Sequence, residues 1–204
     1  MLFDDSYKTI DRAAEGIFRD KGSKFIAYAY PIKSEEEVKP IITNLRTEHA
    51  KARHFCYAYR LTPDRSVFRV NDDGEPSGTA GRPILNCMLS DDITNVLIVV
   101  VRYFGGTLLG VPGLINAYKT AAAESIKSAS IISKTINDVY EVQFDYLQMN
   151  DVMKLVKDEN LLVLGQNFDT QCILKFEIRK AQLNIVLTKF DKIEGIKLKY
   201  LQTI

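Results

Sequence analysis

Hydrophobic and polar positions divide this chain into short, well-marked elements. Tyr7 to Phe18 alternates in a strand-like way, and Asp20-Lys21-Gly22-Ser23 has turn composition. Lys24 to Tyr30 forms a second strand pattern, closed by Pro31. Ser34 followed by Glu35, Glu36 and Glu37 has the form of a capping box. Val38, Ile41, Ile42 and Leu45 then recur at helical spacing, predicting a helix to about His49. His54–Arg60 and Val67–Val70 read as strands joined by the turn Thr62–Ser66. A helix starting near Arg82-Pro83-Ile84 carries Ile84, Leu85, Met88 and Leu89 on one face. Val96 to Val101 is apolar without interruption, the pattern of a strand buried on both faces. Gly105, Gly106, Gly110 and Gly113 lead into an alanine-rich helix from about Leu114 to Ala129.

A second pattern starts beyond a polar stretch, Ser133 to Asn137, with a domain boundary expected at about Lys134–Asn137. Strands are expected at Val139–Tyr146, Leu161–Phe168, Cys172–Ile178 and Ile196–Leu201. Helices are expected at Met149–Glu159, with Val152, Leu155 and Val156 inward, and at Ala181–Lys192. The order βαββαβ is the split-βαβ pattern of ferredoxin-like domains. The fold class read here is α+β, with domains at 1–134 and 138–204.

Composition narrows the function less than the fold. With 204 residues, the chain has enough apolar content for one large core or two small ones. A formal net charge of +1 argues against a grossly basic nucleic-acid binder and permits a local basic patch. Cys56, Cys87 and Cys172 include no CxxC pair, so neither a disulfide framework nor a zinc ribbon is expected, and two histidines make a His-rich metal site a poor reading. No signal peptide and no membrane-spanning run of about 18 apolar residues is read. A reduced, cytoplasmic protein is the expectation.

Two stretches invite chemistry, Asn71 to Gly81 and Arg102 to Gly113. Gly105 to Gly110 has GxxxxG spacing, but Val111-Pro112 replaces the Lys-Ser/Thr of a phosphate loop. What survives is a glycine turn with free N–H groups, a helix start and Arg102, a concavity suited to phosphate or carboxylate. The glycines could equally serve tight turns and close packing. Asp72, Asp73 and Glu75 lack EF-hand spacing, and their use as caps of the turn or the following helix outweighs metal binding. His54 and Cys56 share a strand face, yet a buried cysteine ordinarily acts as a small hydrophobe. Ser77 lacks a GxSxG elbow. No cofactor and no metal are expected. From residue 138 to 204, nine Lys/Arg face ten Asp/Glu, so the second pattern is not a basic domain.

Several segments together resemble the IMPACT family, bacterial YigZ/YvyE type. They are Gly22-Ser23-Lys24-Phe25-Ile26, His54 to Tyr59, Asp72 to Pro83, and Val101 to Gly106. Leu108 to Leu114 and Ala117-Tyr118 continue the signature, with Pro112 where the family usually has a small residue. The resemblance covers about Gly16 to Ala122 and implies two domains. The first would be a left-handed βαβ domain similar to domain IV of elongation factor G, the second a ferredoxin-like domain similar to its domain V. Eukaryotic relatives are translation regulators that act through an extra N-terminal domain, which is not seen here.

The leading expectation is a non-enzymatic protein that contacts RNA or the ribosome and modulates translation. Arg82, Arg102, Gly105, Gly106 and Lys119 would meet the anion, with His54, Asp72, Asp73, Glu75, Ser77 and Thr79 forming a functional rim. The alternative is an enzyme acting on a small phosphorylated or peptide-like substrate in the same cleft. A protein-interaction scaffold with an exposed apolar patch is a third reading, and no membrane partner is expected.

Overall fold

A computed structural model describes residues 5–169 and 171–204. It is a mixed α/β structure with three sheets, made of two compact units, residues 7–134 and residues 135–204 together with Asp5 and Ser6.

Tyr7 to Phe18 does not form one strand. It divides into β1 (Ser6–Ile10) and β2 (Ala14–Asp20). They are followed by β3 (Ser23–Pro31), α1 (Val38–Glu48), β4 (His54–Leu61), β5 (Val67–Asn71), α2 (Gly81–Ser90), β6 (Val96–Tyr103), α3 (Gly110–Ser128) and β7 (Ile131–Thr135). β1 pairs with β7 in a separate two-stranded sheet, and the other five strands lie in the order β2-β3-β6-β4-β5. Alternation marks a strand but does not name its partner, which is why these two strands read as one. α3 starts four residues earlier than its alanine-rich pattern suggests, at Gly110, and takes Pro112 into its first turn, where a missing N–H is harmless.

β6 is central, antiparallel to both β3 and β4. Ile98 and Val100 face Ile84, Met88, Ala117 and Tyr118 of α2 and α3. Leu97, Val99 and Val101 join Val38 and Leu45 of α1 on the other side. Two covered faces explain the unbroken apolar run. The N-terminal turn before α1 closes as its pattern predicts, with Glu37 Oε1 accepting the Ser34 N–H at 3.0 Å and the Lys33 N–H at 2.7 Å.

The second unit contains β8 (Asn137–Phe144), α4 (Met149–Asp158), β9 (Leu162–Phe168), β10 (Cys172–Arg179), α5 (Leu183–Phe190) and β11 (Lys197–Thr203). Its sheet order is β11-β8-β10-β9, antiparallel throughout. Val152, Val156, Val186 and Phe190 of the helices pack on Val142, Phe144, Leu174 and Phe176, and the Phe176 and Phe190 rings stack at 5.0 Å.

Asp5 is tied into this unit. Its carboxylate accepts Arg179 Nε at 2.6 Å, Arg179 Nη2 at 2.9 Å and the Ala181 N–H at 3.1 Å. The Arg179 hydrogen bond holds the Asp5 carboxyl below its usual range, against the opposing effect of burial. A lowered folded-state pKa contributes stability that is present above the unfolded value, about 3.9, and is lost as pH falls through the folded value. Asp5→Asn is therefore expected to lower stability at neutral pH and to flatten its decline below about pH 4, as measured by urea melts across pH. An unchanged acid limb would refute this role. No helix among the described residues is long and apolar enough to cross a membrane.

Candidate functional site

The strand register sets Phe25, Arg102 and His54 side by side at one end of the five-stranded sheet. Arg102 does not project into solvent. Its side chain is 6% exposed and pairs with Glu75, itself 4% exposed, through Nη1 and Oε1 at 2.5 Å. Tyr118 Oη donates to the same carboxylate oxygen at 2.8 Å. The Cys56 thiol lies 3.3 Å from Tyr118 Oη and 3.0 Å from the Asp72 carbonyl, either of which can take its single proton. Burial pushes both the Cys56 thiol and the Tyr118 hydroxyl above their ordinary values. Cys56 is thus held as a thiol with no base against it. His54 turns away from it, its Nδ1 lying 2.9 Å from the Asp73 carbonyl. That geometry does not make a Cys–His nucleophile.

The acidic loop is organised from within. Asp72 Oδ1 accepts the N–H groups of Ala80 and Gly81 at 3.0 and 2.8 Å, and Oδ2 accepts that of Gly78 at 2.8 Å. Asp72 therefore caps the start of α2, where helical N–H groups lack partners of their own. Asp73 Oδ2 accepts the Phe55 N–H at 2.7 Å, and both its oxygens receive Arg46 Nη2 at 2.8 and 2.9 Å. Thr79 is buried, its hydroxyl donating to the Pro76 carbonyl at 2.6 Å, while Ser77 is exposed at the loop tip. Three carboxylates in four residues look like metal or acid–base chemistry, yet each is engaged by donors of the protein itself. No cluster of three His, Cys, Asp or Glu side chains arranged for a metal occurs among the described residues.

The glycine turn is built on close approach. A Cβ on Gly105 would stand 1.9 Å from the Gly22 carbonyl carbon, so the turn packs backbone to backbone on the β2–β3 hairpin. The Gly105 N–H donates to Ser23 Oγ at 3.2 Å and is not free for an anion. Next to it, Phe104 is 53% and Leu108 83% exposed. The Arg102 guanidinium carbon lies 5.4 Å from the Phe25 centroid and 5.6 Å from that of Phe104. Its Nε is buried with no hydrogen-bond partner among the described residues.

Arg82 and Lys119 are exposed on the helical layer. Arg82 occupies the first turn of α2; Lys119 lies in the middle of α3, its carbonyl accepting the Cys87 thiol at 3.4 Å. At the strand end the cations are others. Arg19, Lys21 and Lys24 stand on the β2–β3 hairpin, and Lys51 and Arg53 on the segment entering β4. None of the five is in an ion pair within the described residues. Sequence reasoning passed over them because each resembles an ordinary solvated turn residue. The signal was in the spacing, three cations in six residues from Arg19 to Lys24, beside a turn that the sheet returns to the same end.

Comparison with known proteins agrees with this arrangement of motifs. Residues 21–126 match the Impact N-terminal domain model. The chain is 30% identical over 179 residues to IMPACT family member YvyE of Bacillus subtilis, covering 88% of this chain and 82% of that protein. It is 31% identical over 165 residues to IMPACT family member YigZ of Escherichia coli, covering 80% and 81%. A crystal structure of a hypothetical protein superposes with a TM-score of 0.73 at 26% identity, covering 97% of this chain and 98% of the other. With the family domain matched over residues 21–126 of the chain, and relatives of 30% and 31% identity aligned over 82% and 81% of their own lengths, the chain belongs to the IMPACT family.

Proposed function

We propose that this protein is a non-enzymatic RNA- or ribosome-binding protein of the cytoplasm that modulates translation. One observation carries the reading. At the strand end Asp72, Asp73 and Glu75 are taken up by internal donors, while five neighbouring cations have no ion-pair partner among the described residues. With Asp73 and Glu75 paired to Arg46 and Arg102, the five cations outnumber the carboxylates of Asp20 and Asp72, which have no cationic partner among the described residues. The surface is locally positive on a chain of nearly zero net charge, as polyanion contact requires.

Two features of topology support the comparison with elongation factor G. β3 and β4 run parallel, since each is antiparallel to the β6 between them, and α1 connects them, consistent with a βαβ domain of the domain IV kind. The β11-β8-β10-β9 order suits a ferredoxin-like domain of the domain V kind. On this reading the two functional domains are residues 1–134 and 138–204. The family resemblance implies translation regulators among the eukaryotic relatives, which supports RNA or a ribosomal surface as the partner class proposed here.

The contact is placed on the hairpin and the entry to β4, with Arg102 acting beneath it through Glu75. Co-sedimentation with ribosomes at stepped salt is the test. Retention should fall steeply with salt, and Lys21→Ala together with Arg53→Ala should reduce the slope of log affinity against log salt by about 0.7–0.9 for each contact removed. Retention indifferent to salt and to both substitutions would defeat the proposal.

A further inference from the structure

We infer that the exposed ring of Phe104 is a stacking platform for an unpaired base of single-stranded RNA whose backbone crosses the end of the five-stranded sheet. The inference rests on the RNA-binding reading and narrows it to one nucleic-acid form and one contact. Sheet order supplies the geometry. In β2-β3-β6-β4, the end of β6, immediately followed by Phe104, emerges between the hairpin cations Arg19, Lys21 and Lys24 and the β4-entry cations Lys51 and Arg53. At the usual strand spacing the distance from β2 to β4 is about 14 Å, a span that a short stretch of extended backbone can follow with phosphates on both flanks.

The ring is held in place while remaining open. Arg102, fixed by Glu75, lies 5.6 Å from its centroid, and Gly105, locked against Gly22, anchors the chain immediately after it. Over half of Phe104 nevertheless remains in solvent, while Phe25 and Phe55 on the adjoining strands are buried. A solvent-facing aromatic between unpaired cations is the combination used by sequence-tolerant single-strand binders, since every base offers a π-face. A duplex hides those faces, so a ring on a protruding turn cannot stack on them. An acidic peptide would use the cations but has no need of the ring.

Fluorescence anisotropy of the full chain with a fluorescein-labelled oligouridylate, at several salt concentrations, tests the inference. Phe104→Leu should weaken binding about tenfold and leave the salt slope unchanged, while Phe104→Tyr, which keeps the π-face, should bind within about twofold of the parent. Lys21→Ala and Arg53→Ala should each reduce the slope by about 0.7. Matching thermal midpoints for Phe104→Leu and the parent chain establish that folding is intact. Parent-like binding by Phe104→Leu, alongside reduced slopes for the cation variants, would overturn stacking while RNA binding stood. Equal affinity for duplex RNA, or displacement of the oligonucleotide by polyglutamate at equal charge, would overturn it too. No binding of any RNA at low salt would overturn both this inference and the function on which it rests.

Discussion

Glu75→Ala is expected to destabilise the N-terminal unit by about 3–5 kcal/mol, the usual consequence of leaving a buried charge without its partner. Arg102 is 6% exposed and its Nε already lacks a partner among the described residues, so removing Glu75 strands the whole guanidinium in an apolar setting beside Phe25. Tyr118 loses its acceptor in the same step. The double variant Glu75→Leu with Arg102→Met should recover much of the loss, because removing both charges also removes the desolvation penalty. Urea unfolding followed by tyrosine fluorescence, in a chain with 10 tyrosines and no tryptophan, measures both. A cost below about 1 kcal/mol for the single variant would mean that the pair is open to water, as surface pairs are.

Gly105→Ala should cost about 3 kcal/mol or more, at the upper end of overpacking penalties, because the obstructing atoms are backbone and cannot rotate aside. Its Cβ would meet Gly22 C at 1.9 Å and Ser23 N at 2.2 Å. Gly106→Ala is the control. Gly106 has φ +87° with no atom within 4 Å of the place an added methyl group would take, so only left-handed strain of about 1–2 kcal/mol opposes the change. Equal thermal midpoints for the two variants would show that the hairpin and the turn can separate freely, contrary to the packing described.

Much of the fold could be read from local pattern. Val96–Val101 declared itself because a strand with no polar side needs cover on both faces, and Ser34 with Glu37 marked the start of the first helix because both partners are close in sequence. The division of Tyr7–Phe18 between two sheets depends on pairing with Ile131–Thr135, far along the chain, and alternation cannot convey that. The same distance hid the chemistry of the site. Glu75 meets Arg102 across 27 positions and Tyr118 across 43, so residues that suggest a cation site in isolation turn out to hold a loop against the sheet. Gly105 was legible as a residue needing close approach, but its neighbour, Gly22, was not. The cations at Arg19, Lys21 and Lys24 became notable only once the sheet had set them beside Phe104.

The place of β6 between β3 and β4 also shapes how this unit can be made. During synthesis β3, α1, β4 and β5 emerge first, yet β3 and β4 have no mutual edge to share until Val96–Tyr103 arrives between them. A nascent chain that stops short of β6 therefore carries two separate hairpins with open edges and an unroofed apolar surface. Completion of the sheet is an insertion that closes long loops on both sides, the kind of high-contact-order event that slows folding in general.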